Sequence, residues 1–178
     1  MSEQRTGSRR IDRIRLATYI EALDALSLDD LRERRDECLA EREYLSLLRR
    51  LVQGRAEILR AELDARGSDE DLGPIVDRLA QILAGDEPHA ASRGEAVKVG
   101  VPEEELMLAR RRIERLVADA GISDPAALND AALAAAVDLL ATEEHEVSTA
   151  RGDVIRALDI LQDELKRRYR EDPTLVLS

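Results

Sequence analysis

Two heptad repeats, one in each half of the chain, constrain the fold more than any other feature. In the first half, apolar residues recur every seven positions at Leu31, Cys38, Leu45, Val52 and Leu59. In the second half, they recur in the same way at Leu133, Leu140, Val147, Val154 and Leu161. Such a repeat is typical of the d positions of a coiled-coil helix. Each half therefore predicts one long helix that buries a narrow apolar seam.

Capping signals set the bounds of the two long helices. Ser27 and Asp30 have capping-box spacing and Gly67 is a C-terminal stop, so the first helix is predicted at about residues 28–66. Asn129 and Pro173 bound the second helix, at about residues 130–170. Neither helix can leave its seam exposed, so an antiparallel pairing is the natural solution.

Shorter segments flank and connect these helices. A polar, basic arm and a short helix over 11–26 are predicted at the N-terminus, before a coiled-coil domain that spans 27–178. Proline and glycine signals predict connector helices at about 74–84 and 102–120, with a loop over 85–101. Charged residues make up 37% of the chain, and Trp and Phe are absent, which is typical of coiled coils. The predicted fold is all-α: a long antiparallel two-helix coiled coil with a small helical connector.

A polar stripe runs along the first long helix beside its seam. At about 100° per residue, Ser46, Arg49, Gln53 and Glu57 fall within about 80° of one another. Arg49 is also an a position of the heptad, where a two-stranded coil normally places an apolar residue. The nearby Gly54 disfavours a free helix by about 1 kcal/mol relative to Ala, which suggests the close approach of something bulky.

The second long helix repeats the stripe. Ser148, Arg151, Ile155 and Asp159 follow with the same spacing, and Gly152 is again a glycine inside the helix. An antiparallel pairing that aligns the helix ends also brings Arg49 nearly opposite Arg151. The two stripes then predict one pseudo-two-fold polar site in the middle of the coil.

The residue types in this site favour an anionic ligand that carries guanine. Arginine offers a planar fork for phosphate oxygens and for guanine O6 and N7, as well as a flat face for stacking. A carboxylate accepts hydrogen bonds from the N–H donors of guanine. A small symmetric nucleotide, cyclic di-GMP, fits this description.

The sequence also resembles RsiG, an actinobacterial anti-sigma factor that uses cyclic di-GMP. The resemblance runs through the block LSLLRRLVQGRAEILRAEL over 45–63 and resumes at 146–148 and at RRYRE over 167–171. The family motif is E-x3-S-x2-R-x3-Q-x3-D, with one copy on each helix of an antiparallel coiled coil. In this chain, Arg42 stands where the first Glu is expected, Glu57 replaces the final Asp, and Ile155 replaces the second Gln.

The resemblance implies a mechanism and a set of ligand-binding residues. RsiG-type proteins bind cyclic di-GMP as an intercalated dimer and then hold WhiG, a flagellar or sporulation-type sigma factor, away from RNA polymerase. The implied partner complex is one chain with one sigma factor, and a homodimer is the alternative if one motif copy is degenerate. The ligand-binding residues carried over are Ser46, Arg49, Gln53, Glu57, Glu144, Ser148, Arg151 and Asp159.

Composition and motif content bear on three further questions: the binding partners, the cellular location and enzymatic activity. A net charge of −11 argues against direct binding to DNA or to an anionic membrane and suits a basic partner. The one cysteine, the lack of a signal peptide and the lack of a long apolar run lead us to expect a cytoplasmic protein with no membrane span. No phosphate loop, metal-ligand spacing or nucleophile–base pattern is visible, so we expect no enzyme, no catalytic residue and no metal.

The alternative function is a coiled-coil adaptor that needs no nucleotide.

Overall fold

The computed structural model describes residues 10–67, 102–122 and 124–176. Over these ranges it contains no strand, and two long helices, α2 and α4, pack together. The all-α class is therefore confirmed for the described part of the chain. Its α-helices are α1 (Arg10–Ile14), α2 (Leu28–Gly67), α3 (Glu103–Asp119) and α4 (Asp130–Glu171). Single 3-10 turns occupy Ala17–Tyr19, Leu23–Ala25, Pro125–Ala127 and Pro173–Val176.

The bounds of α2, α3 and α4 agree within one residue with those predicted from the capping signals. Ser27 and Asp30 form the predicted capping box: the Asp30 N–H donates to Ser27 Oγ at 3.1 Å, and the Ser27 N–H donates to Asp30 Oδ2 at 3.3 Å. Asn129 caps α4, because its Oδ1 accepts from the Ala132 N–H at 2.8 Å. The connector helix predicted at 74–84, the loop at 85–101 and the arm through residue 9 lie outside the described residues.

Gly121 ends α3 in the way that the sequence suggests. Its φ is +66°, a left-handed conformation that glycine adopts without steric cost. The Gly121 N–H donates to Ala118 O, and the Ile122 N–H donates to Val117 O at 2.9 Å, which is the Schellman pattern. Ile122 is buried immediately after this turn.

The helix predicted over 11–26 is wrong in its extent. The α-helix ends at Ile14, and two 3-10 turns replace its continuation. Ala22 lies between them with a φ of 48°, a left-handed conformation that breaks any helix and strains a residue with a Cβ. Only Ile14, Tyr19 and Leu23 of this segment are buried. The apolar spacing over 11–26 therefore reflects three anchor residues and not one continuous helical face.

The chain divides into two compact units, and each long helix contributes to both. The first unit comprises Met1–Ser46 and Val147–Ser178, and the second comprises Leu47–Glu146. The d positions predicted from the heptads are confirmed as the core of both, because each is buried with at most 2% exposure.

The second row of the core is not the a row. Seven of the ten a residues, including Arg42, Arg49, Glu144 and Arg151, are only half-buried. The residues one position before an a residue are buried more often, at Glu41, Leu48, Ala136, Ala150 and Ala157. These are g positions, so the buried stripe of each long helix is shifted toward its g side.

In each unit, a third element packs beside the two long helices and explains why the buried stripe is shifted toward the g side. In the first unit, residues 10–26 pack against the g side: Arg10 Nε lies 2.6 Å from Oε2 of the buried Glu41. In the second unit, α3 buries Ala109, Ile113 and Val117, and Arg112 Nη2 lies 2.6 Å from Oε1 of Glu143, a g residue of α4. The half-buried a residues thus lie at the edge of each core and keep contact with water.

Candidate functional site

The first unit contains a polar contact between Ser46 and Arg151, two of the predicted site residues. Arg151 Nε donates to Ser46 Oγ at 2.9 Å. The Ser46 hydroxyl donates to the carbonyl oxygen of Arg42, one turn earlier in α2, at 2.7 Å. Because that bond uses its proton, Ser46 faces Arg151 as an acceptor. We call Ser46 and Arg151 the Arg151 cluster.

The second unit contains three predicted site residues, which we call the Glu144 cluster. Arg49 Nε and Gln53 Nε2, both on α2, donate to the same oxygen of Glu144 on α4, at 3.1 and 2.9 Å. Arg49 and Gln53 are four residues apart on one helix, so they lie one turn apart on the same face. The side chains of Arg49 and Glu144 are 41% and 32% exposed, so a ligand can reach both.

Both clusters leave donors and acceptors unused. Arg49 and Arg151 each donate through Nε, and among the described residues neither guanidinium has a partner for its Nη groups. Arginine has five N–H donors, so most of the capacity of each fork remains for a ligand. Glu144 uses only Oε1, and its Oε2 has no partner within the same described ranges. Each cluster can therefore bind an anion or a guanine edge without first losing its internal contact.

The remaining predicted site residues make no such contacts. Ser148 is half-buried, whereas Glu57 and Asp159 are exposed. No hydrogen bond joins any of these three to another described residue. Their assignment to a ligand site stays a prediction.

The motif departure at Arg42 has a visible local partner. Arg42 Nη2 lies 2.8 Å from Oε1 of Glu43, the next residue in α2. A carboxylate is thus close to the position where the family motif has Glu, but it is engaged with Arg42. Ile155, which replaces the second Gln, is half-buried and offers no polar group.

Arg168 is a structurally important residue that the heptad analysis missed. In the first unit it donates to the carbonyl oxygens of Leu23 and Leu26, at 2.7 and 2.8 Å, and to Glu164 Oε1 at 2.8 Å. It thereby satisfies the carbonyl groups around the second 3-10 turn. The only signal in the sequence was its place in the RRYRE block, which the family resemblance marked without giving a role.

The described residues contain no group of three or more His, Cys, Asp or Glu side chains that could hold a metal ion. Of the helices in the described ranges, none combines the length and apolar character needed to span a bilayer.

Comparison with known proteins supports the resemblance. The family model described as RsiG-like matches residues 17–83, which confirms the similarity to RsiG-type anti-sigma factors over this segment. The match includes Ser46, Arg49, Gln53 and Glu57, and it ends before the second motif copy. No curated protein matches the chain.

Proposed function

Because residues 17–83 match the RsiG-like family, which suggests an anti-sigma factor role, we propose that this chain is a cyclic di-GMP-dependent anti-sigma factor. In this proposal, the liganded chain captures a WhiG-type sigma factor and keeps it from RNA polymerase. The family match is the observation that carries the proposal, and the chemistry of the two polar clusters supports the ligand.

The Glu144 cluster suits a guanine nucleotide. The unused Oε2 of Glu144 can accept from the N1–H and N2–H₂ donors of guanine, and the Nη groups of Arg49 can donate to a phosphate or to guanine O6 and N7. The Arg151 cluster offers a second arginine fork of the same kind. Each cluster, taken by itself, would contact cyclic di-GMP through the residues to which the resemblance assigns that role: Ser46 and Arg151 in the first unit, and Arg49, Gln53 and Glu144 in the second. Ser148, Glu57 and Asp159 would extend these contacts.

We propose that the two long helices run antiparallel as a coiled coil. In the first unit, Arg32 Nε contacts the Tyr169 hydroxyl at 3.2 Å, and Arg151 contacts Ser46 further along α2. In the second unit, Arg49 pairs with Glu144, and Arg66 pairs with Asp130 at 3.3 Å. In each unit by itself, the residue number on α4 falls as the number on α2 rises, which supports an antiparallel pairing.

The charge of the chain supports a basic partner. At a net charge of −11, it attracts a protein with positively charged surfaces, and sigma factors carry such surfaces because they bind DNA. Association should then weaken as salt rises, because 0.1 M salt screens the attraction between exposed charges that are more than about 10 Å apart. A complex that is indifferent to salt would contradict this part of the proposal.

One observation favours the alternative of an adaptor that needs no nucleotide. Arg49, Gln53 and Glu144 already hydrogen-bond to one another across two helices without a ligand. In a coiled coil, a polar group in the seam can have the single role of selecting the partner helix and the register, with no ligand involved. An adaptor of this kind would capture its partner equally well with and without cyclic di-GMP. In neither case do we propose turnover of the nucleotide.

A thermal shift experiment separates the two functions. A ligand at 100 times its Kd stabilises the folded state by about 2.7 kcal/mol, which raises the Tm of a domain of this size by roughly 5–10 °C. We expect this shift with cyclic di-GMP and not with cyclic di-AMP, because adenine lacks the N1–H and N2–H₂ donors that a carboxylate would accept. No shift with either nucleotide would favour the adaptor, whereas equal shifts would mean that the chain binds cyclic dinucleotides without distinguishing the base.

A further inference from the structure

The N-terminal segment of the first unit is fastened to the long helices by basic residues. Three arginines of this segment each meet a carboxylate on α2 or α4. Arg10 Nε lies 2.6 Å from Glu41 Oε2, Arg15 Nε lies 2.7 Å from Asp153 Oδ2, and Arg13 pairs with Glu37. We call residues 10–26 the strap.

The apolar contribution of the strap is small. Ile14, Tyr19 and Leu23 are its buried side chains. Tyr19 lies over Cys38, with its hydroxyl 3.8 Å from the Cys38 Sγ and 3.0 Å from Arg34 O. The α-helix of the strap is five residues long, far below the length at which a helix is stable alone. Segments with few buried apolar groups and exposed ion pairs belong to the low-stability end of a structure and open before the rest of it.

The surface beneath the strap has a defined chemistry. It presents Cys38 from the α2 seam and three acids: Glu37, Glu41 and Asp153. It also presents Arg34 and Arg168, which donate to backbone carbonyl oxygens of the strap. We call this surface the strap receptor. Its occupant here is a short basic amphipathic segment, which places one apolar row on the seam and an arginine on each acid. Any protein segment with that pattern is complementary to the same surface.

We propose that the strap receptor is a docking surface for a basic amphipathic segment of the partner protein, and that residues 10–26 occupy it until that segment displaces them. This inference rests on the proposed function in one respect: the partner is the basic sigma factor. The strap competes with the partner, so the apparent affinity for the partner equals the intrinsic affinity reduced by the fraction of molecules in which the strap is open.

Two substitutions loosen the strap without changing its receptor. In the variant Arg13→Ala/Arg15→Ala, two side chains that are 56% and 42% exposed are removed, and all three receptor acids are kept. The chain also offers a matched control, because Arg156 pairs with the same Asp153 but lies on α4 itself and is 72% exposed. Arg156→Ala should leave the strap in place.

Two measurements test the proposal: one reports how often the strap opens, and the other reports how tightly the partner binds. Modification of Cys38 by a thiol reagent reports opening, because Cys38 is fully buried beneath Tyr19 and burial raises the pKa of its thiol to about 11. Binding of the full chain to the WhiG-type sigma factor, in the presence of cyclic di-GMP, reports the partner. We expect the double variant to react faster and to bind sigma more tightly by the same factor, about 3- to 10-fold. We expect Arg156→Ala to change neither.

Several results would overturn the inference that the strap receptor is a docking surface. Faster modification with unchanged or weaker sigma binding would overturn the inference, because the strap would then be a structural segment outside the partner's surface. Unchanged modification would overturn it as well, because the strap would not be the element that opens. If the unsubstituted chain binds cyclic di-GMP but no sigma factor, the proposed function and this inference both fail. If it binds sigma and only the comparison among variants fails, the inference alone is wrong.

Discussion

Arg49 and Glu144 form an ion pair between α2 and α4, with 3.1 Å between Nε and Oε1, and both side chains remain partly exposed. A pair that served only to hold the helices together would gain little at this level of exposure. The same pair, with its unused Nη and Oε2 atoms, is well suited to receive a guanine nucleotide. Its value to the chain is therefore expected to lie in ligand binding.

The first prediction concerns Arg49→Ala. Hydrogen bonds to charged groups contribute about 1.5–3 kcal/mol, so the affinity for cyclic di-GMP should fall about 10- to 100-fold when Arg49 is removed. The Tm should change little, because Glu144 keeps its bond from Gln53. Titration calorimetry and thermal melting measure the two effects. Arg50→Ala is the matched control, because Arg50 is the next residue and is exposed. Collapse of the fold in Arg49→Ala would identify Arg49 as a structural residue.

The second prediction concerns the chemistry of Arg151. Arg151→Lys keeps the charge but loses the planar fork that binds phosphate or guanine through two nitrogens. We expect it to bind cyclic di-GMP almost as poorly as Arg151→Ala does. Direct titration of both variants tests this. Full binding by the lysine variant would mean that this position supplies only a point charge.

The third prediction concerns the glycine inside α2. A Cβ added at Gly54 would meet nothing within 4 Å, so the substitution has room. Gly54→Ala should stabilise the chain by up to about 1 kcal/mol, because alanine favours the helix. Urea denaturation measures this gain. If a ligand or partner approaches Gly54 closely, the same variant should bind it more weakly, and unchanged binding would remove that explanation for the glycine.

The sequence predicted the long helices well because their signals are local. The capping box at Ser27, the Asn129 cap and the Gly121 stop each act within one turn, and all three are present as predicted. The d residues were equally predictable, since a seven-residue apolar period leaves one face for burial.

The heptads did not predict that g positions, and not a positions, form the second buried row of the core. Glu41 reads as a surface residue in sequence, yet it is buried because Arg10, far away in the chain, reaches it. The carbonyl contacts of Arg168 depend in the same way on the turns near Leu23. In the candidate site, the meeting of Arg49 and Gln53 on one oxygen of Glu144 needed the pairing of two helices. Spacing alone placed these residues near one another without selecting that contact.

The fourth prediction concerns the turn at Ala22. Its left-handed backbone costs a residue with a Cβ roughly 1–2 kcal/mol, and glycine avoids that cost. Ala22→Gly should therefore stabilise the first unit by up to about 1 kcal/mol after the entropy of glycine is subtracted. Ala25→Gly, in the adjacent 3-10 turn with no positive φ, should be neutral or destabilising. Denaturation midpoints of the two variants compare them directly, and a loss of stability in Ala22→Gly would contradict the strain.

The fifth prediction concerns acid stability. Hydrogen bonds from Arg167 and then Arg168 lower the pKa of Glu164 to about 2. Because this carboxylate titrates lower in the folded chain than in the unfolded one, its contribution to stability is present above the usual pKa of about 4.3 and is lost as the pH falls toward 2. The contribution is at most about 1 kcal/mol, because water screens the ion pairs.

Glu164→Gln tests that contribution. It should lower the urea midpoint at pH 7, and the difference from the unsubstituted chain should disappear near pH 2. Glu33→Gln, at an exposed position of α2, should follow the unsubstituted chain. A difference for Glu164→Gln that persists at pH 2 would show that the side chain acts through packing and not through its charge.

Titration calorimetry of cyclic di-GMP into the purified chain, with and without the WhiG-type sigma factor, tests the central claim most directly. We predict binding in the micromolar range or tighter, with two nucleotides per chain. Two nucleotides per two chains would instead indicate a homodimer that pairs its better motif copies. Absence of heat in both conditions would contradict the claim, and the chain would then be an adaptor in which Arg49 and Glu144 only select the helix pairing.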